Sequence, residues 1–162
     1  MLGSKLAIGR RTRSVGRFFV SRISRVLSIG RTVQRREGET SGAYGERLAE
    51  QFLRNNNYKI LARGHRQRRS EIDLVALEGV CVVFVEVKTR ESEQWGTPAE
   101  AVDARKQRLL TRAALLYLKQ HGLLEAEVRF DVIAILCPED FPPEIQHFKH
   151  AFQATGQDSL FS

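Results

Sequence analysis

The sequence is poor in cysteine and has no long apolar run, and each shortage excludes a class of protein. Its 162 residues include two cysteines, Cys81 and Cys137, and neither has a second cysteine or a histidine at zinc-ligand spacing. We therefore predict neither a disulfide framework nor a structural zinc site. No run approaches the roughly 18 apolar residues of a membrane-spanning helix. These absences favour a reducing compartment, and we expect a cytoplasmic protein.

Common catalytic signatures are also missing. The chain has no glycine-rich phosphate-binding loop and no evident Ser-His-Asp or Cys-His arrangement. His147 and His150 lie three residues apart without further ligands nearby, which predicts surface residues rather than a metal site. The remaining candidates for chemistry are acidic and basic residues.

Acidic residues are absent from the first 36 positions, which hold ten of the 26 Lys and Arg residues. The other positions have 16 bases against 19 acids, so the excess positive charge belongs to this N-terminal arm. We place the arm at residues 1–40, and three interpretations stay open. It is a disordered basic extension, an amphipathic helix that docks on nucleic acid or an acidic membrane, or a cleaved transit peptide.

The rest of the chain has the pattern of one α/β domain over residues 41–153, followed by a tail at 154–162. Apolar spacing predicts a first helix over residues 42–57. Thr97 and Pro98 begin a second helix that ends near Gln120. Alternating apolar residues predict four strands, over residues 58–66, 71–77, 80–88 and 128–136. The predicted order is therefore α-β-β-β-α-β.

The third predicted strand starts as a buried apolar run and then carries Glu86 and Lys88, two residues apart. Strand alternation places both side chains on one face. A two-residue turn at residues 78–79 makes Asp73 a diagonal neighbour of Glu86 on that face. Two carboxylates about 4 Å apart repel by roughly 4 kcal/mol at an effective dielectric of 20. Either water screens them as the solvated end of a strand, or a cation compensates them.

Two residues on the predicted helices favour the second interpretation. Glu46 lies at the edge of the first helix's apolar stripe, beside Leu53, and Lys106 lies on the apolar stripe of the second helix. A lysine on the core side either extends its ammonium to solvent or reaches towards a phosphate. Mg²⁺ is usually held by one or two carboxylates with phosphate oxygens and waters. Acids beside a lysine therefore indicate a metal-assisted phosphodiester site.

Five segments occur together in the following order: GAYGERLAEQFL, EIDLVAL, FVEVKTR, the helix of Lys106, and RFDVIAI. Together they resemble the YraN-like bacterial family, which is similar to the archaeal Holliday-junction resolvases of the PD-(D/E)XK nuclease superfamily. The resemblance covers residues 42–152 and implies a restriction-endonuclease-like α/β fold, with a mixed sheet flanked by helices. One difference is Ser70, where the family usually has glycine.

The resemblance also implies roles for individual residues. Asp73 and Glu86 would bind Mg²⁺ or Mn²⁺, Lys88 would be the catalytic lysine, and Glu46 would support the metal or its water. Three residues would contact nucleic acid: Lys106, Arg90 and Tyr44. The implied function is a metal-dependent endonuclease that hydrolyses phosphodiester bonds in branched or damaged DNA, and the resolvases suggest a homodimer. The alternative is a non-catalytic nucleic-acid-binding protein of DNA repair or RNA metabolism.

Overall fold

The computed structural model describes residues 23–28, 33–67, 70–90, 102–138 and 141–155. The helices among these residues are α1 (Ser41–Asn55) and α2 (Ala104–Gln120). The strands in the described part of the chain are β1 (Ile23–Ser28), β2 (Lys59–Gln67), β3 (Ser70–Glu78), β4 (Cys81–Arg90), β5 (Val128–Leu136) and β6 (Glu144–Phe152). From α1 to β5 the element order is α-β-β-β-α-β. The predicted fold class, an α/β fold with a mixed sheet flanked by helices, is confirmed.

The strands form a single sheet in the order β1-β6-β5-β4-β3-β2. Neighbouring strands are antiparallel except β4 and β5, which are parallel. A parallel pair needs a long crossover connection, and α2 lies in that connection. The crossover therefore brings α2 back against the strands that it joins.

Strand β4 supplies side chains to the hydrophobic cores on both faces of the sheet. Val83 and Val85 are fully buried in the cluster that contains the apolar residues of α1. Val82 and Phe84 are buried in the cluster that contains those of α2. Burying an apolar side chain of this size contributes roughly 1.5–3 kcal/mol. Because β4 is covered on both faces, it carries Glu86 into the interior at the end of its apolar run.

The N-terminal arm differs from its prediction where the structure describes it. The sequence pattern predicts a disordered arm or an amphipathic helix, but Ile23–Ser28 form an edge strand antiparallel to β6. Apolar spacing in so short a segment does not separate a strand from a helix. Pairing with β1 also gives hydrogen-bond partners to the edge of β6. Residues 1–22 and 29–32 lie outside the described residues.

The helix α2 begins later than the sequence predicts. Its N-cap is Asp103, which has an extended backbone and accepts a hydrogen bond from the Lys106 N–H at 2.7 Å. An extended residue interrupts a helix, so no helix runs through position 103 from the predicted start. Thr97 and Pro98, which form that predicted start, lie outside the described residues. Neither described helix is long and apolar enough to cross a membrane.

The helix α1 crosses β4 in direct contact at Gly45. A Cβ atom at this position would lie 1.8 Å from Thr89 Oγ1 and 3.0 Å from Thr89 Cβ. A larger residue therefore forces the helix or the threonine to move. Since Glu46 follows Gly45 directly, the close crossing sets how near its carboxylate comes to the end of β4.

We expect Gly45→Ala to lower the free energy of unfolding by about 1–3 kcal/mol, the usual cost of overpacking. Thr89→Ala removes the nearest atom, so the double variant Gly45→Ala/Thr89→Ala should recover part of this loss. Urea denaturation of the four proteins measures the coupling. Gly42→Ala is the matched control, because a Cβ there meets nothing within 4 Å. Equal losses in both backgrounds would contradict the contact.

Candidate active site

The sheet divides between β3 and β4, and we call this division the fork. The last residues that pair across it are Leu74 and Val85. Beyond them, the described residues of β3 pair with β2 as far as Ser70, while β4 pairs with β5 as far as Arg90. The fork therefore separates two strand ends that each keep a partner on the outer side. Beyond the fork, side chains rather than backbone hydrogen bonds link β3 to β4, as the Asp73 carboxyl does with the Val87 N–H.

The first residues beyond the last pair are Asp73 on β3 and Glu86 on β4. The connecting turn lies at residues 79–80 and not at the predicted 78–79. Because both turns have two residues, every side chain keeps its predicted face. The prediction that the two acids share a face was right. Their relation changes from diagonal to directly opposite.

Asp73 is held by a backbone donor across the fork. Its Oδ2 accepts a hydrogen bond from the Val87 N–H at 2.7 Å. Burial raises the pKa of Asp73 to about 7, the Glu86 carboxylate adds to the rise, and the Val87 hydrogen bond opposes it. This carboxyl group therefore changes charge near neutral pH, which is typical of functional sites.

Glu86 is the most buried acid at the fork, with 3% of its surface exposed. Its Oε1 lies 2.7 Å from Lys88 Nζ and 3.1 Å from Lys106 Nζ. Its Oε2 is buried and has no hydrogen-bond partner among the described residues. A buried acceptor without a partner costs about 1–3 kcal/mol, and more when it is charged. Oε1 thus contacts two ammonium groups, while Oε2 has no donor and is available to a further ligand.

Glu46 reaches the same region from α1. Partial burial raises its pKa, the charges of Glu71 and Glu86 raise it further, and Arg66 opposes the rise. A glutamate shifted in this way holds its proton more tightly than one in water. The fork therefore assembles five of the predicted site residues from four elements: Glu46, Asp73, Glu86, Lys88 and Lys106.

Two other residues were predicted to belong to the site, Tyr44 and Arg90. Tyr44 is buried in the core beneath α1, and its hydroxyl donates to the Val33 carbonyl at 2.6 Å. This contact gives Tyr44 a structural role, which is to hold the segment before α1, and its contact with nucleic acid stays a prediction. Arg90 is exposed at the end of β4, and its carbonyl accepts from the Cys137 N–H. Contact between Arg90 and nucleic acid stays a prediction.

A second group of buried charges lies on β5 and β6. Asp131 is fully buried and both its oxygens accept from Arg129 Nε, at 3.0 and 3.1 Å. His147 was predicted at the surface, and this is wrong: it is 2% exposed and its Nε2 lies 2.8 Å from Asp131 Oδ2. Alternation with the buried Ile145 in β6 is the signal that would have placed it inside.

The oxygen atoms at the fork are of the kind that a hard divalent cation prefers. Asp73 and Glu86 offer two carboxylates, and Glu86 Oε2 is buried without a donor. Mg²⁺ is commonly held by one or two carboxylates, with waters and phosphate oxygens at its remaining positions. Within the described part of the chain, no group of three or more His, Cys, Asp or Glu side chains is placed to hold a metal ion.

We expect Asp73→Asn to stabilise the protein increasingly as pH rises. The pKa of the native carboxyl is about 7, whereas the unfolded carboxyl releases its proton near the ordinary pKa of 3.8. Native wild type therefore binds more protons in this window, and its stability falls as pH rises through it. Asparagine does not ionise and still accepts from Val87. The advantage of the variant should grow by up to about 4 kcal/mol.

Urea denaturation from about pH 4 to about pH 8, without divalent ions, measures this difference. Asp103→Asn is the matched control, since Asp103 is exposed and asparagine also caps helices well. A constant difference between Asp73→Asn and wild type across this range would contradict the raised pKa.

Curated bacterial proteins align with most of the chain. A UPF0102 protein of Geotalea daltonii is 46% identical over 116 residues, which cover 72% of this chain and 91% of that protein. A UPF0102 protein of Geotalea uraniireducens is 42% identical over 123 residues, which cover 76% of this chain and 97% of that protein. The alignments therefore extend over nearly the whole length of both relatives.

Among solved structures, Pyrococcus furiosus SfsA in complex with Ca²⁺ gives a TM-score of 0.32 at 13% identity, over 67% of this chain and 61% of that one. The sequence pattern of the family described as "Uncharacterised protein family UPF0102" matches residues 45–135 of this chain. That range includes all five residues at the fork. This is the YraN-like family that the sequence motifs resemble. With more than half of its length matched and relatives above 40% identity, the chain belongs to the UPF0102 family.

Proposed function

We propose that the protein is a metal-dependent endonuclease that hydrolyses phosphodiester bonds in nucleic acid, with branched or damaged DNA as the substrate class. One observation carries the proposal. Glu86 is buried with one oxygen bound by two ammonium groups and the other without a donor. Folding gains little from burying such an oxygen, since a buried acceptor without a donor costs about 1–3 kcal/mol. A divalent cation that brings a phosphate with it would complete the arrangement.

Asp73 and Glu86 are the residues that would hold Mg²⁺ or Mn²⁺. When bound there, the cation supplies a water of lowered pKa and stabilises charge on the phosphate. The protein itself holds the two acids in position. The Val87 N–H orients the Asp73 carboxylate, and two lysines orient Glu86. Both acids therefore stay in place before substrate arrives, which lowers the cost of reorganisation.

The remaining fork residues have separable roles. Lys88 Nζ, beside Glu86 Oε1, lies where it neutralises charge that develops on the phosphate. Glu46 has a raised pKa, and this shift suits its carboxylate to accept the proton of the attacking water. Lys106 shares Glu86 with Lys88 and is about one-third exposed, so it can turn to a phosphate oxygen. The homodimer and the cytoplasmic location stay predictions from the sequence.

We expect Asp73→Asn, Glu86→Gln and Lys88→Met each to reduce cleavage by about 100-fold or more, the usual effect of removing a group that acts on the transition state. Glu125→Gln, at an exposed position, is the control and should cleave like wild type. The assay follows fluorescent four-way junctions and matched linear duplexes with Mg²⁺ or Mn²⁺. If wild type binds these DNAs tightly but leaves them intact with either metal, the alternative of a non-catalytic binding protein replaces the enzyme.

We expect Mg²⁺ binding at pH 7 to release protons. Asp73 has a pKa of about 7, so about half of the molecules must lose a proton before the carboxylate binds a cation. Titration calorimetry in two buffers of different ionisation enthalpy measures this release. It should fall towards zero above about pH 8.5. Heat that persists unchanged in Asp73→Asn/Glu86→Gln would place the metal elsewhere.

A further inference from the structure

The solvent-facing side of α2 carries a line of cations. Its four members are all exposed: Arg105, Arg108, Arg112 and Lys119. At 3.6 residues per turn, these positions fall within about 60° of one another around the helix axis. At 1.5 Å per residue, the line is about 21 Å long. We call these four residues the α2 basic line.

Within the helix α2, no acidic side chain accompanies the basic line. The sequence of α2, ARKQRLLTRAALLYLKQ, contains no Asp or Glu. The ion pairs formed between described residues all use other cations. A solvated helix usually mixes charges of both signs, because opposite charges three or four residues apart stabilise it. Here the cations at such spacing repel one another.

The position of the line on the helix adds a second cost. Arg105 and Lys106 lie in the first turn, where the helix dipole favours acidic residues, yet the first turn holds none. Like charges also recur at i,i+3 and i,i+4 between Arg105, Arg108 and Arg112, and each such pair costs about 0.2–0.5 kcal/mol. The helix thus keeps cations that weaken it, which indicates an anionic ligand.

The α2 basic line begins at the fork. Lys106, next to Arg105, places its Nζ 3.1 Å from Glu86 Oε1. A chain of phosphates that enters the fork can therefore pass directly from Lys106 onto the line. A narrow row of this kind follows a single strand of phosphates rather than a broad acidic surface.

We propose that the α2 basic line binds the sugar-phosphate backbone of the nucleic acid on one side of the fork. Its length matches about six nucleotides at about 3.4 Å of rise along one strand. Contacts from arginine and lysine to phosphates position a nucleic acid without reading its bases. Binding along the line is therefore independent of sequence. The proposal deepens the proposed function and rests on it for the direction in which the strand leaves the fork.

The test measures binding alone, by fluorescence anisotropy of a labelled 30-base-pair duplex without divalent ions. Removing two phosphate contacts lowers the slope of log affinity against log salt by about 1.8. The affinity of Arg112→Gln/Lys119→Gln should therefore fall about 12-fold less than that of wild type between about 50 and 200 mM salt. Arg112→Lys/Lys119→Arg keeps both charges and should retain the wild-type slope.

The charge-matched control is Arg54→Gln/Lys59→Gln, which removes two exposed cations from other elements and should leave the slope unchanged. An unchanged slope in Arg112→Gln/Lys119→Gln would overturn the α2 basic line, even in a protein that cleaves DNA. A reduced salt slope in a protein that neither binds metal nor cleaves DNA would support the α2 basic line and contradict the proposed nuclease activity. If the substitutions weaken binding to phosphatidylglycerol vesicles but not to the duplex, the line serves a membrane and the proposal fails.

Discussion

The burial of the Glu86 carboxylate is the constraint on which the site depends. A charge enters the interior there because β4 lies between β3 and β5 and is covered by helices on both faces. Two ammonium groups from different elements, Lys88 on β4 and Lys106 on α2, compensate one of its oxygens. This link ties the crossover helix to the sheet at the fork. Breaking a buried pair costs more than a surface pair, because a charge stays behind.

The other buried acid shows what a purely structural charge looks like in the same fold. Burial alone would raise the pKa of Asp131, but hydrogen bonds and charges from His147 and Arg129 hold it below its ordinary value. Arg129 in turn contacts Glu78 and the Tyr58 hydroxyl, so the network continues to further partners. Asp73 instead has a pKa raised to about 7. A buried acid with a full set of hydrogen bonds and opposite charges, such as Asp131, is typical of a structural role. A buried acid with a strongly raised pKa, such as Asp73, is typical of a functional site.

The two helices deliver their charges to the fork by different means. The helix α1 approaches β4 closely because Gly45 has no side chain to meet Thr89, and Glu46 follows directly. The helix α2 packs through its apolar side, so its cations divide between Lys106 at the fork and the exposed α2 basic line. One helix therefore supplies an acid and the other an array of cations, and the proposed nuclease requires both.

The sequence by itself determined the element order and the common face of Asp73 and Glu86. Both depend on local periodicity, and a strand period of two survives a turn misplaced by one residue when the turn length stays the same. Tertiary structure alone decided the edge strand β1, the burial of Tyr44, and the fork itself. These features depend on which distant segments pair or pack, and no local pattern carries that information, because pairing partners are chosen by the whole sheet and its two cores.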